Sequence, residues 1–170
     1  GMRAADLALI DERIKATPNS LVIFHQELAA APIDPLRSGV IVDLDRQRAY
    51  VYSANQLVAA TRIASGKRNF RTSTGDFRIG QKNPKHASNL YGDFVDGEGN
   101  IVKANVALGR DKCPAGARFR GAPMPYFMRI HGAVGMHAGY LPGYPASHGC
   151  IRMPRGAAQR FFENAPVGTP

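Results

Sequence analysis

Ser147-His148-Gly149-Cys150-Ile151-Arg152-Met153 follows His137, which falls on a predicted strand, and this run is where the chain shows its chemistry. A thiol beside glycine, histidine and arginine suits a nucleophile better than a packed core. Cysteine reacts as thiolate, and nearby cations lower its pKa from about 8.5. Gly149 removes a side chain where a substrate carbonyl must approach. Consecutive backbone N–H groups at Gly149 and Cys150 could then face a developing oxyanion. His137 reads as the general base, its ring oriented by a third group. The second cysteine, in Asp111-Lys112-Cys113-Pro114, lacks this context and reads as structural.

His131 competes for the role of base. It lies six residues before His137, so on one continuous strand the two side chains would share a face. His137 is favoured because the small run Ala138-Gly139 follows it directly, and His131 is expected further down the strand, partly buried and hydrogen-bonded. Arg152, two residues past Cys150, falls on the same side of an extended segment, and its fork suits a carboxylate. His148 is open to three readings: polarising the site, bonding within the loop, or packing. Tyr140 and Tyr144 are expected to line the loop, apolar in body and polar at the tip.

The run His137–Met153 resembles the signature of the L,D-transpeptidase catalytic domain (YkuD type): a histidine, a variable loop, then Ser/Thr-His/Lys-Gly-Cys followed by arginine or asparagine. The likeness extends upstream. Gly39–Ser53 resembles the family's opening hairpin. Ser65-Gly66-Lys67 and Thr72-Ser73-Thr74-Gly75-Asp76-Phe77 match its S-x-G-K and T-P-T-G-x-F turns, and Met124–Arg129 matches the strand before the histidine. Ser73 stands where the family usually has proline. The His137–Cys150 separation is short, and members usually continue past Pro170 into a closing strand.

The resemblance implies a mostly β, sandwich- or barrel-like domain over residues 39–170, with a few short helices and residues 1–38 as an N-terminal helical extension. It implies that Cys150 attacks peptidoglycan stem peptides and forms a thioester. His137 would be oriented by the Ala138 carbonyl, Gly149 and His148 would belong to the catalytic loop, and Arg152, with Ser147, Tyr140 and Tyr144, would hold substrate. No cofactor or metal is expected. Transpeptidase, carboxypeptidase and cross-link-cleaving endopeptidase share these residues, and a non-catalytic wall-binding module is the alternative of a different class.

Composition bounds these readings. With 170 residues and 44% hydrophobic content, one domain with a real core is expected, acting as a monomer. The charge of +9 would permit nucleic-acid binding, but the basic residues are scattered, and an envelope protein meeting an anionic wall accounts for it. No apolar run reaches the ~18 residues of a membrane span. Gly1 ahead of Met2 reads as an expression remnant, so a missing export signal leaves a cell-envelope or periplasmic location open. Ser65-Gly66-Lys67-Arg68 fails as a phosphate loop for want of the upstream glycine and the following Ser/Thr, and the histidine spacings match no zinc pattern. Papain-like enzymes place cysteine before histidine; here the order is reversed. Because a Cys113–Cys150 disulfide would block the nucleophile, both thiols are expected free.

Periodicity predicts a helix at Ala4–Lys15 and strands at Leu21–Phe24, Gly39–Asp43, Ala49–Ser53, Leu57–Ala64, Asp76–Gln81, Met124–Ile130 and Val134–His137. A linker is expected at Ala29–Pro35 and a late helix at Arg155–Asn164, with Pro154 suited to its start. The polar, glycine-rich stretch Asn83–Gly121 is expected to hold a hairpin or lid over a cleft shared by His137 and Cys150, with a turn at Asp96–Asn100.

Overall fold

The computed structural model describes residues 4–170 and is mostly β. Helix α1 (Ala4–Ala16) carries Ile10 and Ile14 on its buried face. Strand β1 (Val22–Ile23) joins β2 (Ser38–Asp43), β3 (Arg48–Ser53) and β4 (Gln56–Arg62) in an antiparallel sheet of order β1-β4-β3-β2. Alternation along β3 explains how this sheet is covered. Ala49 and Val51 point into the main core, while Tyr50 points the other way, onto Ile10, Ile14 and Val22. The N-terminal residues thus supply both a strand and an apolar cover.

The second sheet has order β6-β5-β7-β8-β9, from β5 (Gln81–Val95), β6 (Ile101–Ala107), β7 (Arg118–His131), β8 (Val134–Ala138) and β9 (Ile151–Met153). Helix α3 (Arg155–Asn164) follows Pro154 directly and buries Ala157, Ala158 and Phe161. Those side chains complete the main core with Ala49, Val51 and Val58 from the first sheet and Met128, Met136, Ile151 and Met153 from the second.

The chain divides into two compact units: residues up to Pro84 together with Tyr126–Pro170, and Lys85–Pro125. The second unit holds most of β5, all of β6 and the first part of β7; β5 and β6 are joined by the Asp96–Asn100 turn, where Asp96 accepts the N–H groups of Glu98 and Asn100. Phe94 is fully buried there and meets Phe119 edge-on. Gly92 and Gly121 are sites of close approach: a Cβ on either would lie about 2 Å from a backbone oxygen of the facing strand.

Two expectations are corrected. Asp76–Gln81 forms no strand before Gln81. Its bonds go to irregular partners: the Ile79 N–H to the Thr169 carbonyl, the Gly168 N–H to the Ile79 carbonyl and the Gly80 N–H to that of Arg129. Extended backbone without a regular ladder is what results. At the start of the expected linker, Ala29 and Ala30 instead end a short helix, α2 (Gln26–Ala30), begun by His25, whose Nδ1 accepts the Leu28 N–H; the rest of the linker forms no helix or strand. Histidine is an uncommon N-cap, so the start signal was absent from the sequence.

Candidate active site

Strands β8 and β9 run parallel, with Met136 opposite Ile151, His137 opposite Arg152 and Ala138 opposite Met153. Parallel neighbours need a crossover of about a dozen residues or more, and Gly139–Cys150 is that crossover. The loop between histidine and cysteine is therefore demanded by topology. Met136, Ala138, Ile151 and Met153 all point into the core. By the period of two, His137 and Arg152 fall together on the opposite face, and Cys150 immediately precedes β9.

His137 is buried, 6% exposed, and its Nδ1 lies 2.8 Å from the Ala138 carbonyl oxygen. The Cys150 Sγ lies 3.7 Å from the Ala133 carbonyl, in the turn joining β7 to β8. Burial pushes the Cys150 thiol above its ordinary range. A hydrogen bond from the Gly135 N–H and the charges of Arg129 and Arg152 pull it back only in part. The sequence expectation of a thiol held low by neighbouring cations is thereby reversed: desolvation outweighs them. Arg152 is half-buried, its Nη1 donates to the Tyr140 carbonyl at 3.3 Å, and its stem lies along Gly139.

This thiol gives a pH prediction. In a Cys113→Ala background, alkylation of Cys150 by iodoacetamide should rise with pH through a midpoint above the ~8.5 of a free thiol. Arg129 and Arg152 favour the thiolate, so Arg129→Ala or Arg152→Ala should move the midpoint higher still. A midpoint below pH 7 by rate measurement would mean a preformed thiolate.

The turn before Cys150 is held by buried polar groups. Ser147 is 3% exposed; its Oγ accepts the Gly149 N–H at 3.1 Å and donates to the Cys150 carbonyl. Both polar functions of Ser147 are thus spent within the loop, and so is one of the two N–H groups expected to face an oxyanion. The Ser65-Gly66-Lys67 stretch runs beside this turn. Ser65 accepts the Ala146 and Ser147 N–H groups through its carbonyl, and the Lys67 N–H donates to the Ser147 carbonyl at 2.9 Å. Gln47, buried behind it, clasps Ser65 through both ends of its amide: Nε2 donates to Ser65 Oγ and Oε1 accepts the Ser65 N–H. A Cβ on Gly66 would fall 1.8 Å from the Phe70 carbonyl oxygen, so only glycine fits.

The remaining sequence-predicted residues lie further out. His148 is exposed and meets Phe70 edge-on at 4.8 Å. Tyr140 and Tyr144 are 77% and 61% exposed on the crossover loop. His131 is corrected: it ends β7, exposed, its ring 5.0 Å from that of Phe77. A turn at Gly132-Ala133 separates it from His137, so the two never share one strand. Both cysteines are free thiols, Cys113 exposed in the second unit. Sequence reasoning missed Gln47, and it gave Ser65, Gly66 and Thr72 no role; the matched S-x-G-K and T-x-T-G turns carried the signal.

The family model of the L,D-transpeptidase catalytic domain (YkuD) matches residues 37–170. Among solved structures, the chain is similar to an L,D-transpeptidase from Stackebrandtia nassauensis at 18% identity, TM-score 0.56, over 78% of this chain and 53% of that one. It is similar to an L,D-transpeptidase from Mycobacterium smegmatis at 17% identity, TM-score 0.58, over 78% and 56%. The catalytic domain of an Enterococcus faecium L,D-transpeptidase, acylated by ertapenem, matches at 25% identity, TM-score 0.52, over 78% and 93%. The chain thus spans little more than half the length of the first two. No curated protein matches it.

Proposed function

Because this chain belongs to the family of L,D-transpeptidase catalytic domains, we propose that it is a cysteine-dependent L,D-transpeptidase acting on peptidoglycan stem peptides. The observation that supports the reading is the β8–β9 register, which pairs His137 with Arg152, two residues past Cys150. Cys150 Sγ attacks the carbonyl joining the third stem residue, an L-centre, to a terminal D-amino acid. A thiol kept neutral by burial needs a base at the moment of attack, and His137 is that base. The S–C bond forms, His137 returns the proton to the leaving amine, the C–N bond breaks, and a thioester remains. An amine from a second stem peptide then displaces Cys150 and makes the cross-link. Its place of action is the cell envelope, where peptidoglycan lies. No helix among the described residues is long and apolar enough to cross a membrane.

Arg152 supplies the fixed cation for a carboxylate of the stem. Incubating the protein with purified tetrapeptide muropeptides and weighing the products tests the function. Dimers linked between third residues are the expected result. Tripeptides alone would mean a carboxypeptidase, fragments of added cross-linked dimers an endopeptidase, and no product with a reactive thiol a binding module. Arg152→Ala should lower turnover about ten- to a hundred-fold, as expected for a charge-assisted bond of roughly 1.5–3 kcal/mol. The same variant should still react with a small neutral thiol reagent.

A further inference from the structure

Thr72 lies in the gap between the 3-10 turn Arg68–Phe70 and Gly75, 7% exposed, in a segment that forms no helix or strand. Its hydroxyl is used twice. Oγ1 accepts the Gly66 N–H at 2.9 Å and donates to the Gly149 carbonyl at 2.7 Å. The second bond reaches across 77 residues of sequence to the peptide that joins Gly149 to the nucleophile. A trans peptide is planar, with its C=O and N–H pointing in opposite directions. Fixing the Gly149 oxygen on Thr72 therefore fixes the Cys150 N–H on the opposite side.

That N–H matters because the neighbouring one is taken. The Gly149 N–H is spent on Ser147 Oγ. A nucleophile's own N–H stands next to the carbon it attacks and is a recurring oxyanion donor in acyl transfer. Gly149 itself has φ +124°, outside the range of ordinary L residues, and a Cβ there would meet only two atoms, both at 3.8 Å. Glycine is thus required by conformation rather than by space, and a backbone so permissive needs an external hold on its peptide plane.

We propose that Thr72 is a positioning residue for acyl transfer: its hydroxyl locks the Gly149–Cys150 peptide so that the Cys150 N–H is preset to receive the oxyanion. This rests on the reading of Cys150 as the acylated nucleophile. Thr72 touches no substrate and acts through one peptide bond.

The test compares two reactions at one sulfur. Acylation by a carbapenem passes through a tetrahedral oxyanion, whereas alkylation by iodoacetamide forms none. Removing an oxyanion donor costs about 10²–10³-fold in rate, and loosening one should cost less, so Thr72→Val should slow acylation about 10- to 100-fold. Alkylation of Cys150 in the same variant should stay close to the parent rate. Thr72→Ser keeps the hydroxyl and should restore acylation. Unchanged acylation in Thr72→Val would overturn the proposal. So would a parallel loss of both reactions that serine does not rescue, which would make Thr72 a packing residue only. Failure of the parent protein to acylate at all would instead overturn the reading of Cys150.

Discussion

Cys150→Ala and Cys150→Ser should each abolish the covalent carbapenem adduct, read as a mass shift on the intact protein, while Cys113→Ala leaves it in full. The two thiols differ in everything but element. Cys113 is exposed, and its Sγ points to its own loop, 3.2 Å from the Ala117 carbonyl and 3.6 Å from that of Pro114. Cys113 lies outside any strand. Cys150 immediately precedes β9, which pairs with the strand that carries His137, and lies two residues before Arg152. Serine at 150 would keep the geometry but lose the nucleophile, because a hydroxyl is far less acidic and less nucleophilic than a thiol. An adduct that persists in the Cys150 variants would move the nucleophile elsewhere, and the assignment of the whole loop with it.

The parts legible in the sequence are those where local pattern and tertiary demand agree. The hairpin of β2 and β3 was legible as two short β-branched and aromatic runs around an Asp/Arg-rich turn, although both faces of β3 are covered: Ala49 and Val51 meet the main core, and Tyr50 and Tyr52 the cluster under α1. Arg155–Asn164 was legible because Pro154 precedes a run whose Ala157, Ala158 and Phe161 fall on one helical face. The length of β5, fifteen residues, was not legible, since a polar strand with little burial shows no apolar alternation. Asp76–Gln81 misled for the opposite reason. Phe77 and Ile79 alternate as in a strand, yet their segment bonds to the C-terminal tail and to one carbonyl of β7.

The candidate site divides in the same way. The types and order of His137, Cys150 and Arg152 could be read from the chain, but the pairing of His137 with Arg152 depends on parallel register, a long-range fact. The same holds for the thiol. Sequence showed the cations near Cys150 but not the burial that overrides them. Thr72 and Gln47 stayed silent because a hydroxyl or an amide acquires meaning only from the backbone it reaches, and those partners lie 77 and 18 residues away.

His137→Ala should slow acylation by about 10²–10⁴-fold, the range typical of a lost general acid–base group. That is roughly 3–5 kcal/mol of barrier, at 1.36 kcal/mol for each factor of ten. With Nδ1 within hydrogen-bonding distance of a carbonyl, which can only accept, the proton belongs on Nδ1 and the lone pair on Nε2. Nε2 is then the basic atom, on a ring whose burial leaves it little freedom to turn. His131→Ala should cost far less, since that residue ends β7 in solvent against Phe77. Because burial holds the Cys150 thiol neutral, the His137→Ala enzyme has no internal base and must wait for solution to ionise the sulfur. Its residual rate should therefore climb with pH through the alkaline range, narrowing the gap to the parent protein. Acylation followed by stopped-flow from pH 6 to about 10, spanning the ordinary cysteine pKa, checks both halves. A larger loss in His131→Ala would move the base to β7, and a flat pH profile in His137→Ala would show that another group deprotonates Cys150.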